Sequence, residues 1–275
     1  MPSTPRLPTF FISHGGGPWP WMRDNDGGRY DRLAASLVDL LPQVGGQPAA
    51  ILMVSAHWEQ PAFTVMTSDH PGMLYDYGGF PEHTYQVHYP APGNPTLARR
   101  AADLLRSAGF ATAEDATRGF DHGLFSPMAV IRPEADIPIV QLSLQRGLDP
   151  AAHLAAGRAL APLRDENVLI IGSGLSFHNL RAFGPASRLP SAAFDAWLGD
   201  AVAQSDPARR DDALIHWAQA PSARDSHPRE EHLLPLMVAA GAAGGDAAER
   251  IYHETDFAGG ITVSSYRFGS ASGAR

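Results

Sequence analysis

Short runs of consecutive apolar residues recur along the chain at 8–12, 50–54, 137–142 and 168–171, each bounded by turn-forming or polar residues. Rich in Ile, Val, Leu and Phe and lacking polar alternation, they predict strands buried on both faces. Helical patterns fall between them. Asn94-Pro95 places a capping residue before a proline at the first helical position and predicts a helix over 96–107, closed by Gly109. Asp149-Pro150 repeats the device ahead of 151–163. Further helices are expected over 30–41, 192–203, 211–218 and 230–240, and the alternation of 261–268 predicts a closing strand. Strands alternating with helices predict an α/β fold with a mostly parallel central sheet flanked by helices. The segment 69–95 is rich in Pro, Gly and aromatic residues, and long structured loops of this kind often cover sites.

A chain of 275 residues with 44% hydrophobic content buries a full core. We expect a single catalytic domain over 1–268, with the small polar tail 269–275 disordered. There are 21 Lys and Arg against 29 Asp and Glu, a net charge of −8, so no basic field draws the chain to nucleic acid. The start has no signal-peptide pattern and no apolar run approaches the length of a membrane span, so a cytoplasmic protein without membrane association is expected. A homodimer is compatible with its size. Cysteine is absent, which removes thiolate chemistry and leaves His, Asp and Glu as the strong metal ligands.

The placement of histidines then becomes informative. His14 follows the first strand run, His57 ends the second, and His178 follows the 168–171 run within Gly172-Ser173-Gly174-Leu175-Ser176-Phe177-His178. In parallel α/β sheets, ligands bind beyond the carboxyl ends of the strands, so these three histidines are expected to converge there on a metal site. His232 adds a fourth near the start of an apolar helix. Two other readings of the glycine-rich motifs fail. His14-Gly15-Gly16-Gly17 has the letters of an esterase oxyanion loop, but no G-x-S-x-G nucleophile elbow accompanies it. Gly172-Ser173-Gly174 lacks the third glycine of a dinucleotide fingerprint.

The strings Ser13-His14-Gly15-Gly16-Gly17-Pro18, Ser55-Ala56-His57-Trp58, Tyr77-Gly78-Gly79-Phe80-Pro81, His88-Tyr89-Pro90-Ala91-Pro92-Gly93, Gly119-Phe120-Asp121-His122-Gly123 and His227-Pro228-Arg229-Glu230-Glu231-His232 span most of the chain. Together, and in this order, the set resembles the DOPA 4,5-dioxygenase branch of the class III extradiol ring-cleaving dioxygenases. The resemblance implies one divalent metal held at His14, His57, His178 and His232, with His122 as the acid/base residue. It implies a small-molecule catechol substrate, DOPA-like or otherwise carboxylated, into which both atoms of O2 are inserted with ring opening to a semialdehyde. His178 is either a fourth ligand or a group that hydrogen-bonds the bound catecholate. The wider class generally uses two histidines and a carboxylate around Fe2+. The matching third position here is His232, and an all-histidine set suits Zn2+ as readily. Fe2+ is therefore expected for dioxygenase activity, while purified protein can carry Zn2+.

Two rivals use the same residues: a zinc hydrolase with Glu231 as base, and a non-catalytic metal-binding member of the fold. For His122, the competing reading is a loop histidine held by Asp121. Trp19, Trp21, Trp58, Tyr75, Tyr77 and Phe80 are candidates to wall an aromatic ring, Arg118 and Arg181 to meet a substrate carboxylate, and Asn179 to orient a ligand or cap a turn.

Overall fold

The computed structural model describes residues 6–23 and 26–270. In chain order the principal elements are β1 (Thr9–Ser13), α1 (Asp31–Val38), β2 (Ala50–Gln60), β3 (Phe63–Met66), α2 (Pro95–Ser107), β4 (Thr112–Asp115), α3 (His122–Ile131), β5 (Ile139–Gln145), α4 (Pro150–Leu160), β6 (Val168–Gly174), α5 (Arg188–Val202), α6 (Pro207–Ile215), α7 (Ala223–Ser226), α8 (Leu234–Ala243), β7 (Ala248–Phe257) and β8 (Ile261–Phe268). Among the described residues, eight strands form one sheet in the order β4-β3-β5-β2-β6-β1-β8-β7. Its centre, β5-β2-β6-β1, is parallel throughout. The antiparallel pairings, β3 with β5, β1 with β8 and β8 with β7, lie to either side. The expected α/β architecture is thus observed.

The unalternated apolar runs are explained by cover on both faces. In β2, Ala50, Leu52 and Val54 face one core with Leu97 of α2, Leu154 of α4 and Leu236 of α8. Ile51 and Met53 face the other, with Leu33 of α1 and Leu124 of α3. Leu169 and Ile171 of β6 join this second face, and Val168 and Ile170 the first.

Several expected boundaries move, for local reasons. The helix expected over 230–240 begins only at Leu234, because Pro235 suits the first turn, where its missing N–H costs nothing. The helix expected over 151–163 gives way at Ala161 to a 3-10 turn containing Pro162. The helix expected from 211 begins at Pro207, capped by the Asp206 side chain, so the Asp-Pro device occurs once more than the pattern reading used. The strand expected from 137 starts after Pro138, which has no N–H for the ladder. β2 runs on to Gln60, so His57 lies inside a strand, at the register shift between Val54 and Glu59.

Elements that the pattern missed are the short strands β3 and β4, the edge strand β7, the single-turn α7, and α3, whose residues 122–128 are all buried and so show no amphipathic period. The start of the tail is held in place, with the Gly269 N–H donating to the Ala247 carbonyl at 2.9 Å. Residues 271–275 of the expected tail lie outside the described residues. No described helix is long and apolar enough to cross a membrane.

Candidate metal centre and active-site cavity

The central strands β2, β6 and β1 are adjacent and parallel, so their carboxyl ends open on one crevice. His14 follows β1 directly. Its backbone N–H donates to the Gly174 carbonyl at 3.1 Å, and its own carbonyl accepts the Trp19 indole N–H at 2.8 Å. A side chain on Gly15 (φ +79°) would collide with that same indole, which explains the glycine. His232 reaches the crevice because β6 ends in glycines. A Cβ on Gly172 would stand 2.2 Å from the Pro235 carbonyl oxygen, and one on Gly174 would stand 2.1 Å from that of His232. The Gly-Ser-Gly run therefore serves close backbone approach.

The three imidazoles face one another through Nε2. His57 Nε2 lies 3.3 Å from His14 Nε2 and 3.2 Å from His232 Nε2. Each Nδ1 is engaged from behind: His14 by the Gly15 carbonyl at 2.7 Å, His232 by Glu231 Oε1 at 2.9 Å, and His57 by Asp76 Oδ2 at 3.3 Å. Because all three partners are acceptors, each ring carries its proton on Nδ1 and turns an unprotonated Nε2 inward. Burial holds the pKa of all three well below the usual histidine range, and neighbouring imidazoles lower it further, chiefly His122 for His14 and His57 and His178 for His232. Three neutral lone pairs at this separation repel unless a cation lies among them, and backing by carbonyl and carboxylate is the usual support of histidine metal ligands. The donor set fits one divalent ion. Asp76 and Glu231 bring two carboxylates close behind it, so a +2 charge is balanced without a carboxylate in the inner set.

His178 is placed differently. Its ring stacks on that of His232, with centroids 3.3 Å apart and planes at 16°, and its Nδ1 approaches Glu231 Oε1 at 3.1 Å. Three sets of donor atoms lie mutually close: His14, His57 and His232; His57, Asp76 and His122; and His178, Glu231 and His232. His122 is the first residue of α3, not a loop residue, and its partner is not Asp121. Asp76 Oδ1 accepts both its backbone N–H at 2.9 Å and its Nδ1–H at 2.8 Å. Its ring lies 3.9 Å from that of His57, centroid to centroid. Asp121 is fully buried beneath the site, accepting from Ser55 Oγ at 2.8 Å, from Arg118 at 2.7 Å and from Gln141. Burial, and then the Asp76 charge, push its pKa up. Arg118 also donates to the His57 carbonyl at 3.3 Å, and its guanidinium lies 4.4 Å above the Trp58 ring, so this network braces the bulged part of β2 from below.

These groups open on a cavity of about 890 Å³. Trp19, Tyr77 and Phe80 line it, as do His122 and His178. Trp21, Trp58 and Tyr75 lie elsewhere, Trp21 and Tyr75 packing on Phe125. The arginines at the cavity are Arg29 and Arg229 rather than Arg118 or Arg181. Asn179 donates its amide to the Asp225 carbonyl at 2.8 Å and so holds a turn. Asp76, which contacts both His57 and His122, escapes the sequence pattern. Its only sequence signal was its place in the long aromatic loop 69–95.

Comparison with known proteins agrees with this geometry. Residues 8–269 match the family described as the catalytic LigB subunit of aromatic ring-opening dioxygenase. A 4,5-DOPA dioxygenase extradiol from Beta vulgaris is 41% identical over 266 residues, covering 95% of this chain and 96% of the relative. One of the same name from Escherichia coli is 35% identical over 271 residues, covering 97% and 96%. The crystal structure of the uncharacterized protein JW3007 from Escherichia coli K12 superposes with a TM-score of 0.77 at 30% identity, covering 96% of this chain and 100% of that one.

Proposed function

The chain belongs to the LigB family of aromatic ring-opening dioxygenases and is a non-haem extradiol ring-cleavage dioxygenase, and from that premise we propose that it opens a carboxylated, DOPA-like catechol to a semialdehyde. In this reading His14, His57 and His232 hold the single divalent ion, and 1–268 acts as one catalytic domain. The observation that carries it is the convergence of three Nε2 atoms on the wall of a cavity that also contains His122 held by Asp76. Fe2+ is the working metal, and the all-histidine set takes Zn2+ as well. When bound, the metal supplies a Lewis-acidic centre for the two catechol oxygens and, as Fe2+, the electrons that activate O2.

The surrounding residues have separate tasks. Asp76 fixes the Nδ1–H tautomer of His122, which leaves Nε2 of that ring free to take and return a proton at the ring-opening oxygen. Glu231 does the same for His178, whose Nε2 is then an acceptor for a catechol hydroxyl rather than a fourth metal ligand. Trp19, Tyr77 and Phe80 wall the ring. Glu231, the base of the hydrolase alternative, is engaged through Oε1 by both His178 and His232, and its Oε2 faces Arg229 at 3.5 Å.

The test is anaerobic reconstitution with Fe2+ or Zn2+ in parallel, followed by oxygen-uptake and absorbance assays on carboxylated catechols including DOPA. We expect one O2 consumed per catechol, with a coloured ring-opened product, in the iron-loaded protein alone. Stoichiometric iron with no oxygen uptake on any of these compounds would refute the proposal.

A further inference from the structure

The cavity is larger than the substrate class just proposed requires. A DOPA-sized molecule has 14 non-hydrogen atoms, and at the roughly 30 Å³ that one water occupies in the liquid, a generous allowance, it fills about 420 Å³. The cavity holds about 890 Å³, towards the upper end of the range of small-molecule sites. Besides the imidazoles, Asp76 and Glu231, the lining includes the apolar or aromatic side chains Met22, Tyr30, Leu180, Phe183 and Phe257, and its further charged members are Asp26, Arg29, Glu59 and Arg229.

Two residues of that lining are exposed large hydrophobics, Leu180 at 69% and Phe183 at 38%. Single exposed apolar residues are ordinary. These two sit in one short segment immediately after His178, and both line the cavity while remaining exposed to solvent. The segment is built rather than loose. The His178 N–H donates to the Ser226 carbonyl at 2.9 Å, and Ala182 N–H to that of Asn179 at 2.9 Å. Phe183 packs on the buried Phe177, with centroids 6.1 Å apart. Behind it the β7–β8 turn presses so closely that a Cβ on Gly260 would lie 2.9 Å from Pro185 Cα, and Arg188 pairs with Asp256 at 2.8 Å.

We infer that the site takes a catechol whose ring substituent is bulky and apolar over its outer part, and that Leu180 and Phe183 are the specificity-determining contacts for that substituent. This rests on the dioxygenase reading above and names the substrate class within it. The apolar lining removes the substituent from water once the ring is seated against the imidazoles, so affinity grows with apolar length until the substituent clears the cavity.

The test uses 4-alkylcatechols from methyl to hexyl, titrated calorimetrically under anaerobic conditions into Zn2+-loaded protein, so that binding is read without turnover. Affinity should rise about two- to fourfold per added methylene. The double variant Leu180→Ser, Phe183→Ser should flatten that slope. Leu189→Ser, 81% exposed on α5 outside the cavity, should keep it. A flat series in the wild type, or an unchanged slope in the double variant, overturns the inference. A flat series together with dimerisation that the double variant abolishes would assign Leu180 and Phe183 to contact with a second copy of the chain, and also overturns it. The two levels separate cleanly. Cleavage of 4-methylcatechol by iron-loaded protein with a flat binding series removes the inference alone. A steep series with no oxygen uptake by iron-loaded protein on the carboxylated catechols or on any member removes the proposed reaction and leaves the apolar subsite.

Discussion

Gly174→Ala adds one methyl group at the end of β6 and should cost both stability and metal affinity. Gly174 does not have a left-handed backbone, so alanine faces no conformational penalty there. By reducing the freedom of the unfolded chain the change would by itself stabilise the protein by about 0.4–1 kcal/mol. Packing opposes it. The new Cβ would stand 2.1 Å from the His232 carbonyl oxygen and 3.1 Å from both the His232 carbonyl carbon and Phe11 Cε2. The first of these is backbone, so either β6 or the segment carrying His232 must retreat by nearly an ångström to reach even 3.0 Å. The Leu175 N–H bond to the same His232 carbonyl, at 3.1 Å, is strained with it. Overpacking of this kind costs about 1–3 kcal/mol. The net loss is about 1–2 kcal/mol, a fall in Tm of about 2–8 °C for a chain of this size. Displacement of His232 should weaken metal binding in the same variant. Thermal melts of the metal-free protein and chelator-competition titrations read the two effects separately. Gly46→Ala is the control, since nothing lies within 4 Å of its Cβ and its backbone is ordinary. Wild-type Tm and affinity in Gly174→Ala would refute the argument that this glycine exists to admit the His232 backbone.

Asp76→Asn keeps the shape of the side chain but removes the charge shared by His57 and His122. We expect a roughly 10–100-fold loss of metal affinity by competition titration, and unchanged affinity would show that Asp76 is a bystander. His14→Ala and His57→Ala should each abolish stoichiometric metal binding while far-UV circular dichroism stays that of the wild type. Full metal occupancy in both would exclude the proposed centre. His227 is fully buried, donates Nε2–H to the Ser176 carbonyl at 2.9 Å, and is held down to about 4, mainly by burial. Its folded pKa lies below the unfolded value, so the unfolded chain binds more protons between pH about 6.5 and 4. Stability is full above that window and is lost as pH falls through it, by about 3 kcal/mol from this residue alone. Denaturant midpoints of the metal-free protein against pH should show this slope, and His227→Phe should reduce it.

How much of this was legible in the sequence follows from where the physical signal is local. A strand covered on both faces must be apolar at every position, so β1, β2, β5 and β6 could be read directly, and the histidines beyond their ends followed from the geometry of parallel sheets. α3 was invisible for the opposite reason: a helix buried on every side has no period, and Pro127 within it argued against a helix at all. β3 and β4 are four residues each and take their structure from their neighbours. Asp76 could not be ranked above other loop carboxylates, because its role depends on a contact with residue 122 that no spacing rule encodes. The glycines of β6 carry no local signal of their purpose, which lies in a segment some sixty residues further along.

The sources of the three converging imidazoles bear on how the protein folds. They come from positions 14, 57 and 232, near opposite ends of the chain, and two of their strands lie at the centre of the sheet. No fragment or local foldon contains the set, so it exists only once the long-range pairing of β6 with both β1 and β2 is complete. An ion captured there is linked to global rather than local unfolding, and its binding free energy adds to the stability of the whole sheet. Appearance of metal affinity during refolding therefore reports the long-range pairing of the central strands, and chelation should lower the stability of the entire fold rather than loosen one loop.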